Sequence, residues 1–299
     1  MALQQTNPFD AKDPRVITLK APVAPAIPAG GAAAQGAPEP LVEVTDLCTW
    51  FPIKKGIFAR TAGYVKAVNG VSFTMNAGET LGVVGESGCG KSTLSRTILR
   101  LEKPHSGAVR FMGRDVFKLK GKDLLQYRRD LQVVFQDPHA TLNPRHSILD
   151  ILTEGMLVHG LITPKEAQDA AAELLRDVGL QPDAMFRYPH AFSGGQRQRI
   201  CIARAIALKP KMIICDEAVS ALDLSIRAQV LNLLMELKDK YHLAYLFITH
   251  DIGVVEHIAD NIIVMFKGEI VERGPAEKVL LHPEEPYTKR LIAAVPRVG

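Results

Sequence analysis

Cysteine is scarce: Cys48, Cys89, Cys201 and Cys215 are the four in 299 residues. They form no C-x-x-C pair and have no histidine at metal-ligand spacing, which argues against a zinc site or a disulfide framework and for reduced thiols in a cytosolic chain. Long hydrophobic runs are missing too. No stretch of about 18 apolar residues occurs, and the N-terminus has no basic region followed by an apolar core, so neither a membrane span nor an export signal is expected. Any role at a membrane is then expected to run through a partner. Charge of one sign is equally thin. Thirty-six Lys and Arg against 32 Asp and Glu leave a net charge of +4, too mild and dispersed to indicate nucleic acid. What remains is a globular chain, 47% hydrophobic, with enough apolar material for one large domain or two small ones.

Within it, Thr80-Leu-Gly-Val-Val-Gly-Glu-Ser-Gly-Cys-Gly-Lys-Ser-Thr93 reads as strand, glycine turn and helix start in succession. Leu81, Val83 and Val84 are the apolar run of a covered strand, Gly85 to Gly90 allow a tight bend that exposes backbone N–H groups, and Lys91 opens a helix with Leu94, Ile98 and Leu101 on one face. Gly85, Gly90, Lys91 and Ser92 satisfy G-x-x-x-x-G-K-[ST], with Glu86, Ser87, Gly88 and Cys89 between them. Exposed N–H groups and the positive end of a helix dipole suit a polyphosphate. Lys91 is expected to reach the β- and γ-phosphates, Ser92 to ligate Mg²⁺, and Thr93 to donate to phosphate. A turn that merely joins strand to helix gives Lys91 and Ser92 no reason to be adjacent.

Residues 1–40, rich in Ala, Pro and Gly after Lys20, offer little to bury and are expected to be a disordered tail. Order is expected from the alternating Leu41–Thr45 and again at Val71, Phe73 and Met75, which share one strand face. Between these lies Phe51–Tyr64, read as a basic, aromatic loop. Phe51, Phe58 or Tyr64 is a candidate to stack on a base, with pinning of the loop to the core the competing role for each. Leu131–Gln136 reads as a buried strand ending on an amide placed for a metal or water. Beyond it, a Pro-broken and then helical segment has Ala167, Ala171, Leu174, Leu175 and Val178 on one face, as in an inserted helical lobe.

Met212–Glu217 and Tyr245–His250 are near-continuous apolar runs, the pattern of parallel strands covered on both faces. Ligands gather at the carboxyl ends of such strands, so Asp216, Glu217 and His250 are expected to meet the phosphates held by Lys91. Neighbours on a strand end point in different directions. Asp216 is assigned Mg²⁺ through water, Glu217 the attacking water, and His250 a hydrogen bond to the γ-phosphate. A helix is expected over about 224–241, with Ile226, Val230, Leu233 and Leu237 inward, and a hairpin over Asn261–Glu272 turning at Lys267-Gly268. Phe192-Ser-Gly-Gly-Gln reads as a second anion site, Ser193 capping a helix whose first N–H groups are those of Gly194 and Gly195.

Taken together, the cradle, Gln136, Ser193–Gln196, Asp216-Glu217, Ser220-Ala-Leu-Asp223 and His250 resemble, in order and spacing, the ATP-binding-cassette ATPases over about residues 41–275. That resemblance implies an α/β P-loop core with a mainly parallel sheet, an N-terminal antiparallel β subdomain, an inserted helical subdomain at about 137–196 and a C-terminal extension over 276–299. It implies ATP and Mg²⁺ as ligands, with Gln136 as a Mg²⁺ ligand that contacts the membrane partner, Ser193 to Gln196 as the signature, Asp223 in the D-loop and His250 as the switch histidine. Gln136–Arg145 and His282–Pro296 are similar to the dipeptide and oligopeptide importer branch, which also holds nickel, glutathione and oligosaccharide importers. Ala218 stands where that family usually has proline after the catalytic glutamate, and Thr141 where serine is commoner. With no cysteine after Cys215, no iron–sulfur cluster is expected. The partners implied are a second cassette in a head-to-tail sandwich, two transmembrane permease subunits and, indirectly, an extracytoplasmic solute-binding protein, at the cytoplasmic face of the membrane. A soluble cassette acting on ribosomes or DNA is the alternative. Such proteins usually carry two cassettes or a long coiled-coil insertion.

Overall fold

The computed structural model describes residues 39–55 and 60–294; almost all of the expected tail, and Phe58, lie outside the described residues. Two sheets organise the chain. The first is antiparallel, in the order β2-β1-β4-β5, from β1 (Val42–Lys55), β2 (Arg60–Met75), β4 (Ser106–Phe111) and β5 (Arg114–Asp115). The second has the order β10-β9-β3-β8-β7-β6 and is built from β3 (Thr80–Val84), β6 (Leu131–Phe135), β7 (Met212–Asp216), β8 (Ala244–Thr249), β9 (Asn261–Phe266) and β10 (Glu269–Pro275). All its neighbours run parallel except β9 and β10, a hairpin that turns at Lys267 and Gly268, both at positive φ.

The apolar runs of β7 and β8 are continuous because both faces are covered. Ile213, Cys215, Tyr245 and Phe247 point into a core shared with the helices, while Met212, Ile214, Leu246 and Ile248 point into a core shared with the antiparallel sheet. Parallel sheets take this form since their crossover helices cover the faces. The helices are α1 (Lys91–Ile98), α2 (Gly121–Asp130), α3 (Pro138–Thr141), α4 (Ile148–Val158), α5 (Ala167–Asp177), α6 (Gly194–Ile206), α7 (Leu224–Tyr241), α8 (Ile252–Ile258), α9 (Ala276–Leu281) and α10 (Pro286–Ala293). Ala171, Leu174, Leu175 and Val178 are buried in the core that joins α4, α5 and α6 to the sheet, and Ala167 is buried at the start of α5. Among the described residues no helix is long and apolar enough to cross a membrane.

Two local readings of the sequence differ from the structure. Residues 51–55 and 60–64 extend β1 and β2 as paired strands, Phe51 opposite Val65 and Pro52 opposite Tyr64. Proline is admitted because β1 pairs with β4 only as far as Cys48, leaving the far half of β1 an edge. Leu101, read as part of the apolar face of α1, lies beyond its end and is 61% exposed. The chain turns out at Arg100, which has φ +59.

Candidate nucleotide-binding site

Register places the polar ends of four strands side by side. Phe135 pairs with Asp216, Asp216 with Ile248 and Val84 with Thr249, so Gln136, Glu217, His250 and Gly85 each follow immediately at one edge of the sheet. The loop from Gly85 to Gly90 then leads into α1. Its crest, Glu86 to Gly88, is exposed, while Gly85, Cys89 and Gly90 are buried. Gly90 caps α1 at φ +111, and a Cβ there would sit 2.0 Å from the Ala67 carbonyl oxygen, so no other residue fits. From behind, the Gly268 N–H donates to the Cys89 carbonyl at 2.8 Å, and from the C-terminal segment the Tyr287 hydroxyl accepts the Glu86 N–H at 3.0 Å.

Lys91 is 4% exposed and its ammonium donates to the carbonyls of Gly85 at 2.7 Å and Glu86 at 2.9 Å. A buried ammonium needs such acceptors, and the loop itself supplies them. Thr93 lies in the first turn of α1, its carbonyl accepting from Thr97 Oγ1 at 2.7 Å. Asp216 is buried, accepting from Ser92 Oγ at 3.2 Å and Ser95 Oγ at 2.9 Å. Burial pushes its carboxyl above the usual carboxylate range, against the lowering effect of the two serine hydrogen bonds. A buried carboxylate beside a hydroxyl, with no side-chain cation bonded to it among the described residues, is a donor set that fits a hard, oxygen-seeking ion such as Mg²⁺.

The raised value has a sign consequence. Folding favours the neutral form of Asp216, so its contribution to stability is greatest at low pH and is lost as pH rises through the folded value. Asp216→Asn is therefore expected to raise Tm at neutral pH without nucleotide. It should also remove the Mg²⁺ dependence of nucleotide stabilisation. Thermal unfolding at pH 5 and pH 8 checks this, and a lower Tm for the variant at pH 8 contradicts it.

Glu217 is held at φ +51, a left-handed conformation uncommon for a residue with a side chain. The surroundings hold it there: its N–H donates to the Ile248 carbonyl at 2.9 Å, and its carbonyl accepts from Ser220 N at 3.1 Å and Ser220 Oγ at 2.9 Å. The carboxylate, largely buried, faces His250 Nδ1 at 3.4 Å, and His250 is more than half exposed. Backbone strain of this kind is stored where a side chain must be aimed. Asp251, next along, accepts from Arg227, whose other amino group donates to the Leu222 carbonyl at 3.3 Å. Arg227 thus ties the segment before Asp223 to the segment after His250.

Ser193 caps α6 in a reciprocal box: Gln196 N donates to Ser193 Oγ at 3.3 Å and Gln196 Oε1 accepts from Ser193 N at 3.0 Å. Gly194 is exposed with nothing within 4 Å of a would-be Cβ, whereas Gly195 packs beneath Ile226. Asp223 and Leu224 are exposed at the start of α7. Ser92 Oγ links the Gly85–Thr93 loop to Asp216, with Glu217, His250 and Gln136 at the ends of the neighbouring strands, whereas Ser193, Gly194 and Asp223 are exposed and, among the described residues, no hydrogen bond or ion pair joins Ser193–Gln196 or Asp223 to the loop. Of the aromatic candidates, Tyr64 tilts against Trp50 and His105 with ring centroids 6.2 and 6.1 Å away. Phe51 has no aromatic partner among the described residues.

The sequence marks neither Ser95 nor Arg227 as a site residue, and it marks Gly268 and Tyr287 only as a hairpin turn and as part of a tail, not for the bonds they make to the loop. Ser95 had a signal: it lies one turn after Ser92 on the same helix face. Tyr287 lay within a stretch already singled out for its similarity to importer tails.

A family model described as "ABC transporter" matches residues 68–220. The chain is 50% identical over 86% of its length to an oligopeptide transport ATP-binding protein of Bacillus subtilis, covering 79% of that protein. It is 48% identical over 97% of its length to a glutathione import ATP-binding protein of Pectobacterium atrosepticum. The match spans 46% of that relative, so the chain is about half as long as the glutathione import proteins it resembles. A solved dimeric ATP-binding cassette, described as a post-hydrolysis state bound to ADP and Pi, superposes with a TM-score of 0.69 at 28% identity, over 79% of this chain and 98% of that one.

Proposed function

Since this chain belongs to the ABC transporter family of ATP-binding cassettes, we propose that it binds MgATP, hydrolyses it, and so powers uptake of small peptides through membrane partners. The observation that carries the reading is the meeting of Lys91, Ser92, Asp216, Glu217 and His250 at one sheet edge around a glycine cradle. Peptide cargo is supported by the names of two relatives, one an oligopeptide and the other a glutathione import component, glutathione being itself a tripeptide. The cassette in this reading is 41–275, its helical part 137–196, with 276–299 an extension.

In this mechanism the N–H groups of Ser87, Gly88 and Gly90 to Thr93 line the phosphates, with the Ser92 and Thr93 hydroxyls beside them. Lys91 exchanges the carbonyls of Gly85 and Glu86 for phosphate oxygens. Phe51, exposed and free of ring partners, is the stacking surface for adenine. Ser92, Asp216 and Gln136 would hold Mg²⁺, which when bound would supply charge neutralisation for the phosphates. Glu217, aimed by its left-handed backbone, takes the proton of the attacking water, and His250 contacts the γ-phosphate from the neighbouring strand end.

One cradle encloses one nucleotide, yet Ser193, Gly194 and Asp223 are exposed and, among the described residues, make no hydrogen bond to it. Their exposure supports a head-to-tail pair in which they close the cradle of a second cassette. Transmembrane subunits at the cytoplasmic face, fed by an extracytoplasmic solute-binding protein, complete the assembly. Gln136, exposed beyond β6, lies between the cradle and the helical part, where a signal from those subunits enters.

If the reading is right, MgATP at a hundredfold excess over its Kd stabilises the fold by about 2.7 kcal/mol, seen as a rise in Tm. An unchanged Tm at millimolar MgATP overturns it.

A further inference from the structure

We propose that Tyr287 is a positioning residue for the nucleotide, its hydroxyl fixing the Glu86 end of the phosphate loop so that the C-terminal helix α10 is a working part of the site. The inference rests on the nucleotide-binding reading above and adds to it a residue 201 positions from Glu86.

Glu86 is tethered from two sides. Its carbonyl accepts from the Lys91 ammonium at 2.9 Å, and its N–H donates to the Tyr287 hydroxyl at 3.0 Å. These tethers differ in permanence, because the lysine is the group that phosphate oxygens recruit. Once Lys91 bonds to phosphate, the hydroxyl of Tyr287 is the remaining side-chain tether on Glu86. The loop therefore depends on Tyr287 most when it is holding ligand.

The tyrosine is built to serve as a fixed post. It is 6% exposed, its ring lies 4.3 Å from that of Phe266, and it shares an apolar cluster with Val84, the last residue of β3 before the loop. Phe266 ends β9, whose turn bonds the other end of the loop through Gly268 N–H and the Cys89 carbonyl. The entry to α10 is clamped as well, since the Glu272 carboxylate accepts the N–H groups of Glu284 at 2.8 Å and Glu285 at 3.2 Å. A chain of contacts thus runs from β10 through α10 to the crest of the loop, and loosening either end should be felt by the nucleotide.

Tyr287→Phe removes one oxygen and keeps the ring packing. Equilibrium titration with fluorescent ATP and ADP, together with steady-state phosphate release, is expected to show Kd and KM raised about three- to tenfold, the worth of one backbone hydrogen bond, with kcat within about twofold of the parent. Glu272→Ala, which frees the start of α10 without touching the loop, is expected to change Kd in the same direction by less. Unchanged Kd in Tyr287→Phe, with or without a lower Tm, overturns the proposal and leaves Tyr287 a packing residue. A fall in kcat at constant Kd overturns it too. Failure of the parent chain to bind ATP would count against the nucleotide reading itself, and the titration of the parent separates that case.

Discussion

Glu217→Gln lowers ATP turnover at least ~100-fold while leaving ATP affinity within about twofold, the loss usual when a general base is neutralised and the binding groups stay. Glutamine preserves shape at a position whose backbone is pinned by Ile248 and Ser220, so the left-handed turn survives and only the proton acceptor is lost. Lys91, Ser92 and Asp216 are untouched. Phosphate release under saturating MgATP, alongside a nucleotide titration, checks both halves, and turnover within threefold of the parent removes Glu217 from the role assigned to it.

A smaller but still large effect is expected if this chain pairs with a second cassette as proposed. In an assembled pair, Lys91→Ala in this chain silences its own cradle and leaves hydrolysis to the partner's. Adding Gly194→Asp to the same chain should then reduce the remaining rate at least ~10-fold, because a carboxylate is set against the partner-bound γ-phosphate where donors are required. Gly194 is exposed with open space at its Cβ, so the substitution is absorbed without disturbing the fold. An unchanged rate shows that the two cassettes do not share their sites.

The cradle was legible because its determinants are adjacent: six bending residues, Lys91 and Ser92 are local in the chain, and local patterns survive without knowledge of the partner elements. The strand ends were legible for a related reason. Four buried apolar residues followed by Asp216-Glu217, or by Thr249-His250, admit few other structures. Phe51–Tyr64 was not, since its pairing depends on an edge that β4 vacates after Cys48 and on several register shifts along β1. Contacts across long separations were hidden altogether. Nothing near Asp251 announces Arg227, and nothing near Glu86 announces Tyr287, because both pairings are products of how α7 and α10 pack. The strained φ of Glu217 likewise follows from three hydrogen bonds that span the β7–β8 pair and the turn after it.

ATP hydrolysis at this cradle is proposed to serve solute import by membrane partners. The decisive measurement is to purify the chain from its native membrane in mild detergent, identify what accompanies it, and follow phosphate release with a peptide-loaded and an empty solute-binding protein. Integral membrane subunits and a second cassette are expected to co-purify, and the loaded binding protein to raise turnover in a manner abolished by Glu217→Gln. A chain that purifies without integral membrane proteins and hydrolyses ATP at a rate indifferent to any solute-binding protein would contradict this proposal.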